Sequence, residues 1–139
     1  MHHFIPQQEL NELMHAATAD AIQYASEEHQ IVLDRSIDSL KKLDLLLAEL
    51  HLREQKQQHA AEVVFTLCNI MGAYIGEIFI ANVGGHWQQS NTDSSAPFVY
   101  VQFHDKEFPF ASICYHKISH DNSISLYDYV KQAMANAMQ

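Results

Sequence analysis

Histidine is the residue type in this chain with the most chemistry to test: ten stand among 139 residues. Imidazole ligates zinc and related ions and moves protons near neutral pH. Two pairs lie close in sequence, His2-His3 and His116-x3-His120. On a helix, positions 116 and 120 would share one face and could share an ion. The residues around them, however, read as a strand end running into a turn, and an extended chain holds the two too far apart. His104-Asp105 adds a third ligand only if strands bring it to that pair. No HExxH, no CxxC and no two-histidine–one-carboxylate pattern occurs. The reading is therefore no metal site and no cofactor, with the histidines at the surface or capping helices.

Glu77 is the second residue to weigh, because it stands inside an apolar run. A buried carboxylate must find donors or take up a proton. Its functional reading is an acid of raised pKa or a ligand contact. Its structural reading is a bond to backbone N–H groups or to the Trp87 indole beyond Gly84-Gly85. With no base or nucleophile accompanying it, the structural reading is preferred. Nothing resembles G-x-S-x-G or a cysteine-protease signature. Gly84-Gly85 lacks both the preceding strand and the following helix of a phosphate loop. Cys68 and Cys114 lie in apolar stretches at no metal or redox spacing, which predicts two buried free thiols in a reducing compartment. The chain is not expected to be an enzyme.

The elements that must position these residues are bounded by composition. A chain of this length with 47% hydrophobic residues fits one domain, 1–139, with its own core. Seventeen acidic residues against eight basic ones give a formal charge of -9. Nucleic-acid binding needs clustered Lys and Arg, and these are few and scattered. An acidic surface can instead attract a basic protein, although net charge also serves solubility alone. The start of the chain lacks the charged and apolar regions of a secretory signal, so a cytoplasmic location is expected.

Along the chain, Leu10, Leu13, Met14, Ala17, Ala21 and Tyr24 keep the spacing of one apolar helical stripe, predicting a helix over 7–28 behind Pro6. Residues 30–35 are β-branched and extended in character, and Ser36 is the N-cap candidate for a second helix over 37–52. The polar run 53–58 reads as a loop. Residues 63–83 are long and apolar enough to test as a membrane span. Asn69, Glu77 and Asn82 interrupt them and no Lys or Arg follows, so a core helix is expected rather than a membrane contact. Gly72 and Gly76 permit close helix packing, and Gly84-Gly85 ends the helix. Trp87 opens a strand, residues 91–96 form a turn, and strands are expected over 98–104 and 110–118. Aromatic residues crowd this region and are read mostly as core. Ser125-x-x-Asp128 has the capping-box form and starts a last helix. The class expected is α+β, mainly helical: three N-terminal helices, a small antiparallel sheet and a C-terminal helix.

Three stretches carry a resemblance: Leu33-Asp34-Arg35-Ser36-Ile37-Asp38-Ser39-Leu40, Gly72-Ala73-Tyr74-Ile75-Gly76-Glu77, and Gly84-Gly85-His86-Trp87. Their order resembles a group of small, largely uncharacterised bacterial proteins with an LD-x-S-x-x-S-L … GAYxGE … GG-x-W pattern, covering residues 7 to 135. Some similar proteins are associated with secreted toxins as immunity partners. The resemblance thus implies a protein-binding module that neutralises another protein, such as a basic toxin. Relatives commonly carry a basic residue between GG and W, where this chain has His86. Tyr74, Glu77 and Trp87 are the candidate binding residues, as a cluster bordering a groove. The Gly72–Gly76 face also leaves room for a homodimer. The alternative is a small histidine-rich metal- or ligand-binding protein or enzyme built around His104, His116 and His120.

Overall fold

The computed structural model describes residues 5–57, 60–90, 98–120 and 123–139. Within them the order is α1 (Gln7–His29), α2 (Ser39–Lys56), α3 (Ala61–Asn82), β1 (His86–Ser90), β2 (Phe98–Phe103), β3 (Lys106–Phe108), α4 (Phe110–Ser119) and α5 (Leu126–Ala137). The class is α+β and mainly helical, with a three-stranded antiparallel sheet in the order β1-β2-β3 and a helix at the C-terminal end.

Helix α1 is closed by Gln30 in the left-handed conformation, its N–H bonding Ser26 and the Ile31 N–H reaching back to Ala25. The Gln30 bond to Ser26 is the αL type of helix closure, made here without glycine. Residues 30–35 then form an irregular connection with no strand partner. Its buried Leu33 ties it to the core. One turn precedes α2, so the helix starts at Ser39 rather than at 37, and Ser36 Oγ accepts from the Ser39 N–H at 3.1 Å. At its other end α2 runs on through Lys56, where a loop was expected. Arg, Glu, Gln and Lys are strong helix formers, and a run polar on all sides extends a helix into solvent at no packing cost.

Helix α3 is the spine of the fold. It is long and apolar enough to cross a membrane by length and composition, yet it lies within the fold, flanked by α1 and α4. Its C-terminal half is buried almost throughout, from Met71 to Phe79. Gly84 and Gly85 then turn the chain with φ of +122° and +100°, a region that strains any residue with a Cβ. The sheet that follows pairs Trp87 with Val101 and Val101 with Phe108. Both Trp87 and Val101 are buried, so this register sets the inward face. Beneath it Phe79 gathers Phe108, Phe110 and Phe103 at ring distances of 4.7, 5.5 and 6.5 Å.

The segment expected as a last strand, 110–118, is instead helix α4. Phe110, Cys114, Lys117 and Ile118 are its buried positions, the i, i+4, i+7, i+8 spacing of a helical stripe. Gly72 decides the packing, because a Cβ there would meet the Ala111 backbone at 2.7 Å. Only a glycine lets α4 lie that close to α3. The expected turn at 91–96 falls outside the described residues.

Candidate functional site

Tyr74 is fully buried, and its hydroxyl ties α3 to the connection before α2. It accepts from the Arg35 N–H at 2.8 Å and lies 2.6 Å from Ser39 Oγ. Ser39 donates to the Ser36 carbonyl at 2.6 Å, which leaves Tyr74 to donate to Ser39. Arg35 has φ +69°, so the tyrosine satisfies an amide that the strained turn would otherwise orphan. Asp34 completes the knot, accepting from the Ser36 hydroxyl at 2.6 Å and its N–H at 3.1 Å. The Ser36 hydroxyl holds the exposed Asp34 carboxyl below the usual 3.8, while burial pushes the Tyr74 phenol above 10.0. The LD-x-S-x-x-S-L and GAY stretches are thus two sides of one hydrogen-bonded joint, with Tyr74 and Ser39 at its buried centre.

Trp87 is buried too, its six-membered ring laid over Gly76: a Cβ there would come within 2.1 Å of Cη2. Its indole N–H has no hydrogen-bond partner among the described residues. Glu77 therefore does not bond the Trp87 indole, as the sequence suggested. Its Oε1 instead lies against Nδ1 of His15 on α1, with the Glu77 side chain 14% exposed. The two approach without hydrogen-bond alignment. Of the three candidate residues, Tyr74 and Trp87 have no solvent face to offer a ligand. They tie α3 to its neighbours as structural anchors, and only Glu77 reaches the surface.

A second polar joint was not legible at all. Asp44 on α2 accepts from the Leu126 and Tyr127 N–H groups at 2.6 and 3.0 Å, capping the start of α5 from another helix. Lys117 on α4, buried, pairs with the same carboxylate at 2.9 Å and donates to the Ile124 carbonyl. Ser125 caps α5 locally, as the capping box predicts, by accepting from Asp128 N–H at 3.1 Å. Cys68 and Cys114 are free and buried, as expected. Burial pushes the Cys68 thiol up to about 12 and Cys114 well above 9.0, so neither supplies a thiolate nucleophile at neutral pH.

The outward-facing chemistry lies elsewhere. At the start of α3, Val63 and Phe65 are 45% and 59% exposed, and Phe65 sits 6.1 Å from the Tyr115 ring of α4, itself 43% exposed. Two concavities adjoin this end. One, about 130 Å³, lies between Tyr24, Leu50, Arg53, Val63, Leu67 and Ile118. The other, about 270 Å³, is a shallow dip over Glu62, Val63, Thr66 and Leu67. Both fall below the roughly 300–1,000 Å³ of small-molecule sites, so neither suits a substrate pocket. Helix α1 carries Glu9, Glu12, Asp20, Glu27 and Glu28, all exposed, and no Lys or Arg.

No family model matches the chain, and no curated protein or solved structure resembles it at a significant level.

Sequence reasoning missed Phe65 and Tyr115 as surface residues. One signal was present: residues 63–65 are apolar on consecutive positions, so a helix there spreads apolar side chains over about 200° of its circumference. Beside Glu62 and Thr66, such a turn cannot be buried all round. Among the described residues no group of three or more His, Cys, Asp or Glu is placed to hold an ion. His104 occupies the β2–β3 turn at φ +55°, whereas His116 and His120 belong to α4 and its end, so the trio of the alternative reading is not assembled among the described residues.

Proposed function

We propose that this chain is a bacterial, cytoplasmic protein-binding module of the immunity type, which neutralises a basic toxin by covering it. The observation that carries the reading is the exposed face of α1, with five carboxylates and no Lys or Arg, on a chain of net charge -9. A one-signed face of this kind accelerates encounter with a basic partner and disfavours acidic ones. Exposed Phe65 and Tyr115 supply the aromatic anchors that binding hot spots favour. The two small concavities also suit a protein surface better than a small substrate.

The test is recovery of the complex from the native cells, followed by expression of the captured protein alone and together with this chain. A stoichiometric basic partner that is toxic alone and silenced by co-expression supports the reading. Association should slow by at least tenfold when Glu9, Glu12, Asp20 and Glu27 are changed to Gln. Absence of such a partner, or a partner indifferent to those charges, overturns it.

A further inference from the structure

An extended chain would hold His116 and His120 too far apart to share an ion, but the chain there is helical. The two stand one turn apart at the end of α4, and the His120 N–H bonds the His116 carbonyl at 2.8 Å, closing that turn. Both are exposed. Their ring centroids are 5.4 Å apart with planes tilted 49°.

That spacing can be compared with what one ion requires. Zinc–nitrogen bonds of about 2.0–2.1 Å, with a ring centre about 1.2 Å behind each nitrogen, place each centroid about 3.2 Å from the metal. At a tetrahedral angle the two centroids then lie about 5.2 Å apart. The observed centroid separation of 5.4 Å is close to that value.

We infer that His116 and His120 form a two-histidine site for a divalent transition cation of the zinc, nickel and copper class. Imidazole donors select these ions over magnesium and calcium, which take oxygen ligands. The site stands at a helix C-terminus, where the partial negative charge of the last carbonyls favours a cation. The nearest fixed positive charge in sequence, Lys117, is turned inward and engaged by Asp44 and the Ile124 carbonyl. Two ligands leave the remaining coordination positions to water. This makes the site an open one. It needs no third residue, and so the absence of a larger donor cluster among the described residues does not bear against it.

The experiment uses the full chain without an affinity tag, carrying His2→Gln and His3→Gln to remove the other adjacent pair. Calorimetric titration with Ni²⁺, Zn²⁺ and Cu²⁺ should give one ion per chain, tightest for Cu²⁺, with no binding of Mg²⁺. His116→Gln and His120→Gln should each weaken binding at least tenfold, and His104→Gln should leave it unchanged. Paramagnetic Cu²⁺ added to the otherwise unaltered protein should broaden amide signals first around 116–120. Undiminished binding by both variants, or broadening centred elsewhere, overturns the assignment.

Discussion

The two halves of α3 share one helix and one apolar composition, but they are treated oppositely by the fold. From Met71 to Phe79 nearly every residue is buried, with Gly72 under Ala111, Gly76 under Trp87 and Tyr74 bonded to the α2 approach. From Ala61 to Leu67 only Val64 is buried, and Val63 and Phe65 stand in water. Hydrophobicity alone does not distinguish the halves. What separates them is where α1, α4 and the sheet converge. Apolar residues beyond that point stay exposed, and Gly72, Tyr74 and Gly76 inside it are committed to packing.

The strongest way to break this comparison is at Gly76. Gly76→Ala drives a methyl into the Trp87 ring, and overpacking against a buried indole should cost about 3 kcal/mol. Denaturant unfolding monitored by tryptophan fluorescence checks this. A variant as stable as the parent would mean that Trp87 is free to move and that the C-terminal half is not a rigid anchor.

An intermediate effect is expected at Tyr74. Tyr74→Phe leaves the Arg35 N–H without its acceptor and should cost about 1–3 kcal/mol. The sign with pH follows from the raised phenol. Its contribution is complete below the ordinary 10.0 and is lost as pH rises through the higher folded value, because the phenolate is disfavoured in the buried site. Stability curves of the parent should therefore fall more steeply above pH 10 than those of Tyr74→Phe. Parallel curves would place the hydroxyl outside the folding linkage.

The smallest effect belongs to the exposed half. Phe65→Ser should change stability by less than about 0.5 kcal/mol, as surface substitutions do. Thermal unfolding decides the point. A loss comparable with that of Tyr74→Phe would make Phe65 a structural residue and remove it as an anchor for a partner.

Much of the local structure was readable because it obeys local rules. The stripe from Leu10 to Tyr24, the stop at Gly84-Gly85 and the Ser125 cap each act over a few residues, and each element stands where those signals put it. Helix α4 was misread because its β-branched and aromatic content outweighed the helical spacing of Phe110, Cys114, Lys117 and Ile118. That error also separated His116 from His120. The extension of α2 to Lys56 shows the converse, a polar run whose propensity, rather than its burial, kept it helical.

By itself, the sequence determined the class, the helical spine, the acidic balance and the burial of the two thiols, all consequences of composition and short-range periodicity. Only the tertiary structure decided which apolar residues stay outside, and which distant polar groups meet. Tyr74 reaches Arg35 across 39 positions, and Asp44 reaches Leu126 across 82. Such pairings depend on how the elements pack: the two glycines mark where α3 can be closely approached, but only the fold sets α4 against Gly72 and the Trp87 ring against Gly76.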